Sequence, residues 1–170
     1  MLPIKSVGVQ GDERTYRHPA VLYGKRFSWD ELRKLSTLIT NQFTDINRVL
    51  YNLYPDTDEQ VTIQSSYLTK ELVYITQKAD KIVMDYLLEV GIDREIWQFP
   101  TVLIPLSVGN TTDRAVVLRP VCSQEAMTAN FYEMEVADIK ELTERLRKVE
   151  GISAIFYDIT NKPPGTIEWE

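Results

Sequence analysis

"DINRVLYNL" (residues 45–53) and "GISAIFYDI" (151–159) are two versions of one pattern. Laid over each other at an offset of 106 residues, they pair Ile46 with Ile152, Val49 with Ile155, Tyr51 with Tyr157 and Asn52 with Asp158. Each is short, apolar and rich in β-branched and aromatic residues, so each reads as a strand. Each follows an amphipathic helical stretch, "FSWDELRKLSTLITNQF" before the first and "VADIKELTERLRKV" before the second. The letters agree weakly. The order agrees well, because helix, turn and strand recur with the same apolar spacing once a one-residue slip in the helix is allowed. The chain therefore reads as two copies of a small α+β unit.

Working outward, "SVGVQG" (6–11) reads as a strand ending at a glycine turn, with "HPAVLYG" (18–24) as its antiparallel partner. In the first helix Ser28 and Glu31 have capping-box spacing, Phe27 and Leu32 hold the staple positions, and Leu32, Leu35 and Ile39 recur at helical period. The first unit, residues 1–54, is thus strand, strand, helix, strand, truncated at its N-terminus. Residues 55–98 are a linker and a long helix. "YPDTDEQ" (54–60) is polar and proline-containing, and "SSYLTKELVYITQKADKIVMDYLLEVG" (65–91) carries Leu68, Leu72, Ile75, Ala79, Ile82 and Tyr86 on one stripe before Gly91. That helix reaches up to about 40 Å. The second unit, residues 99–170, repeats the order: strands in "TVLIPLSVG" and "RAVVLRPVC", a helix carrying Val136, Ile139, Leu142 and Leu146, and "SAIFYDI" as the closing strand. One such unit, a helix on a small and mostly antiparallel sheet, leaves a face or edge uncovered and is marginal alone. Two tandem β-β-α-β units related by a pseudo-two-fold resolve this.

Composition narrows the function. The 170 residues are 44% hydrophobic, with 19 basic and 25 acidic side chains for a net charge of −6. That balance disfavours a nucleic-acid or anionic-membrane footprint, so any anionic ligand is met by a few local cations. The single cysteine, Cys122, excludes an internal disulfide and fits a reducing cytoplasm. No apolar run is long enough to span a bilayer, and the start lacks the features of a signal peptide. A cytoplasmic protein is expected.

Phosphate-loop, dinucleotide, serine-hydrolase and zinc-protease signatures are absent, and His18 is the only histidine. Three polar constellations remain. "GDERTY" (11–16) presents Asp12 and Arg14 at a glycine turn, where the plainer reading is an exposed ion pair. Gln98 sits between a tryptophan and a proline-bounded strand, where it also suits a backbone cap. In "NKPPGTIEWE" (161–170), Lys162 precedes stiff Pro163 and Pro164, and the amides of Gly165, Thr166 and Ile167 are placed to point together at an anion. A tail that plugs a groove with Ile167 and Trp169 is the alternative. Lys162 and Arg14 suit a phosphate, Asp12 and Glu168 suit hydroxyls such as a ribose diol, and Gln98 suits a base edge or a phosphate oxygen. A phosphorylated nucleoside uses all of them.

"LPIKSVGVQGDERTY", "IWQFPTVLIPL" and "YDITNKPPGTIEWE" together resemble the C-terminal, dimerisation-type region of GMP synthase, the glutamine-dependent ligase of purine biosynthesis that converts xanthosine monophosphate (XMP) to GMP. The resemblance covers essentially the whole chain and points to the longer, two-copy form. It implies XMP contacts from Asp12, Arg14, Gln98, Lys162 and Glu168. It also implies upstream amidotransferase and ATP pyrophosphatase domains, with ATP and Mg²⁺ serving the full enzyme, and it allows a homodimer. Neither catalytic motif set occurs in this chain, so no catalytic residue is assigned and the region alone is expected to be inactive. The abrupt start reads as a boundary or gene fragment. "GNTTDR" stands where the second unit would repeat "GDERTY", and "YPDTDEQ" where the first would repeat the tail. A single composite site is therefore expected. The rival is a non-catalytic assembly module without a nucleotide site.

Overall fold

The computed structural model describes residues 1–11, 13–24, 28–56, 59–123, 125 and 127–169. Along them run β1 (Ser6–Gln10), β2 (Glu13–Leu22), α1 (Trp29–Gln42), β3 (Ile46–Tyr54), β4 (Val61–Ile63) and α2 (Lys70–Val90). Then come β5 (Thr101–Ile104), β6 (Leu106–Val108), β7 (Arg114–Leu118), β8 (Val121–Cys122), β9 (Asn130–Phe131), α3 (Val136–Leu146) and β10 (Ile152–Asp158). Six strands make one mixed sheet in the order β1-β2-β3-β10-β7-β5, with β4-β6 and β8-β9 as small antiparallel sheets. The class is α+β, as expected. The two matching stretches become β3 and β10, adjacent and antiparallel at the centre, with Tyr51 opposite Tyr157. Outward from that pair each half continues with a parallel neighbour and then an antiparallel edge strand, so the pairing reads the same from either edge.

Alternation along the strands sends successive side chains to opposite faces. Val49 and Tyr51 of β3, Val116 and Leu118 of β7, and Ile155 and Tyr157 of β10 meet the helices, including Ala79 and Val83 of α2 and Ile139 and Leu142 of α3. Leu50, Val117, Ala154 and Phe156 face the other way, beneath Leu2, β6 and Trp169. Both faces are covered, which is why β10 is buried at every position.

Local signals explain most helix ends. Ser28 Oγ accepts from the Glu31 amide at 3.4 Å, as the capping-box spacing implies, while Phe27 of the expected staple lies outside the described residues. Thr69 Oγ1 accepts from the Leu72 amide at 3.2 Å, and Gly91 ends α2 at φ 78°. Because that cap starts α2 at Lys70, Leu68 is not on the helical stripe. It is 93% exposed, and a helix of 21 residues spans about 31 Å rather than 40. In α1 the buried positions are Leu32, Ser36 and Thr40, with Leu35 exposed. "GDERTY" is less a loop than expected, since β2 already begins at Glu13. Prolines break two expected strands: Pro105 separates β5 from β6, and Pro120 separates β7 from β8. β4 and β9 were not foreseen. Among the described residues no helix is long and apolar enough to cross a membrane.

Candidate functional site

The C-terminal segment leaves β10 and becomes an extra edge on two separate ladders. Lys162 exchanges both backbone hydrogen bonds with Ala129, at 2.7 and 3.0 Å, beside β9. β9 pairs with β8, and Val121 of β8 exchanges backbone bonds with Gln98 at 2.9 and 3.3 Å. Gln98 and Lys162 therefore stand on opposite edges of one ladder, three strand spacings or about 14 Å across and offset along it by two residues, since Gln98 faces Val121, which faces Phe131, while Lys162 faces Ala129. After the cis bonds Lys162-Pro163 and Pro163-Pro164, the chain meets the outer edge of β1. Val9 N–H donates to the Pro164 carbonyl at 2.6 Å and Val7 N–H to the Trp169 carbonyl at 3.2 Å. Gly8 lies opposite Gly165, and a Cβ on Gly8 would come within 2.6 Å of the Pro164 oxygen, so only glycine admits this approach. Across β1, Val9 faces Arg14 of β2. The tail backbone is thus two strand spacings, about 10 Å, from Arg14.

Beneath the tail lies a sealed polar node. Arg48 of β3, Arg119 after β7 and Asp158 at the end of β10 have no exposed side-chain surface. Arg48 Nη1 donates to Asp158 Oδ2 at 2.8 Å, and Arg119 Nη1 lies 3.3 Å from Asp158 Oδ1. Arg48 Nη2 also donates to the carbonyls of Val7 and Thr166, at 3.0 Å each, and to Thr166 Oγ1 at 2.6 Å. Arg119 donates to the carbonyls of Thr160 and Thr166. Trp169 completes the lock: its indole N–H donates to Asp158 at 2.8 Å and its ring lies 4.8 Å from Arg48 Cζ. These contacts hold its backbone at φ 72°, a region bulky residues seldom adopt. Burial alone would push the Asp158 carboxyl up, but Arg119 and Arg48 hold it below its ordinary value. Burial lowers the Arg48 guanidinium to about 10 against the opposing pull of Asp158, leaving it charged at neutral pH.

The residues singled out in the sequence divide accordingly. Lys162 and Gln98 are half-buried on the shared ladder, Arg14 and Glu168 are exposed, and Gly165, Thr166 and Ile167 are buried in the tail. Asp12 lies outside the described residues. The three tail amides are not all directed outward, because the Gly165 N–H donates to the Asn161 carbonyl at 3.0 Å. Sequence reasoning missed Arg48, Arg119 and Asp158. The available signal was a charged residue inside an apolar strand in "NRVLYNL", "VVLRPV" and "FYDI", since such residues stay buried only when paired.

Beside the ladder a cavity of about 850 Å³ opens between residues 93–97 and the β8-β9 hairpin, with Arg94, Trp97, Ser123, Thr128 and Asn130 on its wall. That volume suits a small-molecule ligand. Among the described residues no group of three or more His, Cys, Asp or Glu side chains is placed to hold a metal ion.

Residues 85–169 match the model of the GMP synthase C-terminal domain. Over its full length the chain is 40% identical to a probable glutamine-hydrolysing GMP synthase of Leptospira interrogans, covering 28% of that protein. It is 30% identical, over 99% of its length, to the glutamine-hydrolysing GMP synthase of Dictyostelium discoideum, covering 26% of it. The enzyme of Bradyrhizobium diazoefficiens is 38% identical over 61% of this chain. The chain thus spans little more than a quarter of the curated relatives that match its whole length. With a matched domain covering half of its residues and relatives over its whole length named as glutamine-hydrolysing GMP synthases, the chain belongs to the GMP synthase C-terminal domain family.

Proposed function

We propose that this region binds XMP at one composite site and holds it for catalytic domains elsewhere in the enzyme. One observation carries the reading: a single tail segment hydrogen-bonds to β1, opposite Arg14, and to the ladder that bears Gln98. Three polar constellations far apart in sequence are joined through backbone pairing, a rigid way to set groups around a ligand. In this assignment Lys162 and Arg14 meet the phosphate, Gln98 a phosphate oxygen or base edge, and Asp12 and Glu168 the ribose hydroxyls, while residues 165–167 shape the turn.

In the full enzyme XMP is adenylylated by ATP, with Mg²⁺, releasing pyrophosphate. Ammonia from glutamine then displaces AMP to give GMP. This region's part is positional, and alone it makes no GMP. We further propose that the halves are duplicates related by a pseudo-two-fold near the Tyr51–Tyr157 pair. The pairing pattern that reads alike from either edge supports this. The charge difference between the halves supports one site rather than two, because Asp56 stands at the position 106 residues before Lys162. The full protein is assigned to the cytoplasm, with homodimerisation as a further proposal.

The test is calorimetric titration of XMP into the chain, with IMP as control. One site per chain is expected, and Lys162→Ala should weaken binding about ten- to hundredfold, the effect of losing a charge-assisted hydrogen bond. Unchanged affinity in Lys162→Ala would favour the assembly-module reading, which the burial of Ile167 and Trp169 in the tail independently supports.

A further inference from the structure

The charges sealed under the tail do not cancel. Two guanidiniums share one carboxylate, and none of the three side chains has any exposed surface. Their remaining partners are the carbonyls of Val7, Thr160 and Thr166, the Thr166 hydroxyl and the Trp169 ring, which are dipoles rather than charges. The Nε of each arginine is buried without a partner. Among the described residues, a further carboxylate whose field reaches both guanidiniums is that of Glu168, exposed on the tail itself. Stability alone does not require a second buried cation, since apolar replacements of buried ion clusters are often neutral or stabilising.

The arrangement places this excess charge beneath the segment between Lys162 and Glu168. Both arginines grip that segment at the Thr166 carbonyl. We propose that Arg48 and Arg119 are buried positioning and specificity residues, whose uncompensated positive charge beneath the tail selects a phosphate-bearing ligand over the corresponding nucleoside without contacting it. This rests on the reading of the tail as a nucleotide site. One charge at about 10 Å in an effective dielectric near 20 is enough to change a phosphate's affinity about tenfold.

The test compares the chain with Arg119→Met, which removes the charge, Arg119→Lys, which keeps it, and Glu168→Gln, which removes the exposed counter-charge. Each is titrated with XMP and xanthosine and, separately, monitored for thermal stabilisation by inorganic phosphate. Arg119→Met should lose XMP affinity about tenfold while xanthosine stays within about twofold, and phosphate should no longer raise its Tm. Arg119→Lys should retain most of the XMP-to-xanthosine ratio, which a merely structural role would not protect. Glu168→Gln, altered only on the surface, should bind phosphate about twofold more tightly at low salt. Equal losses for XMP and xanthosine in Arg119→Met, or phosphate binding unchanged or weaker in Glu168→Gln, overturn the inference. Phosphate responses as expected without XMP binding overturn the nucleotide reading and the selection that rests on it, whereas XMP binding with equal losses for XMP and xanthosine overturns the selection alone. No phosphate response in the unaltered chain overturns the inference whatever XMP does.

Discussion

Asp158 accepts hydrogen bonds from Arg48, from the Thr160 amide and from the Trp169 indole, and pairs with Arg119. Removing its charge in Asp158→Asn strands two buried cations, so a stability loss of about 3–5 kcal/mol is expected in chemical denaturation. The pH dependence has a fixed sign. The folded-state carboxyl lies below its unfolded value of 3.8, so its stabilisation is fully present above that value and is lost as pH falls through the lower folded value. The native chain should therefore lose stability steeply below about pH 4, and Asp158→Asn more gradually. At Gly8 the constraint is steric. Gly8→Ala forces its new methyl against the Pro164 carbonyl and the Asn47 side chain, costing about 1–3 kcal/mol and shifting Trp169 fluorescence as the tail lifts.

Among the elements, α2 and α3 differ at their starts. Thr69 caps α2 through its hydroxyl, so Thr69→Ala should destabilise by about 1 kcal/mol. Glu135 precedes α3 without a side-chain cap bond, and Glu135→Ser should raise stability by about 0.5–1 kcal/mol; both are read by thermal denaturation. Caps of this kind were legible because they depend on residues three apart. Ser28 with Glu31 was read correctly, and Gly91 ends its helix as expected. The strand breaks at Pro105 and Pro120 were less so. Proline's missing N–H was visible, but which sheet each fragment then joined depends on partners such as β4, three residues long and distant in sequence.

For the whole molecule, the tail guards an edge as well as building a candidate site. Deleting residues 164–170 frees the Val7 and Val9 amides on β1 and removes Thr166 and Trp169 from the arginines. An unpaired strand edge is a template for another chain, so the shortened protein should associate with rising concentration in sedimentation. Failure to associate, with the fold retained, would show that β1 is protected by other means.

The sequence by itself determined the α+β class, the matching central strands, the helices and the unusual polar content of "GDERTY" and the tail. These depend on periodicity, caps and residue chemistry within a few positions. It did not determine that Arg48, Arg119 and Asp158 form one sealed cluster, nor that the tail pairs with β1 and with the strip beside β9. Only the tertiary structure decided these, because a charge in a strand shows that a partner is needed but not where in the chain that partner lies. Arg48 and Asp158 are 110 residues apart and meet solely because β3 and β10 lie side by side.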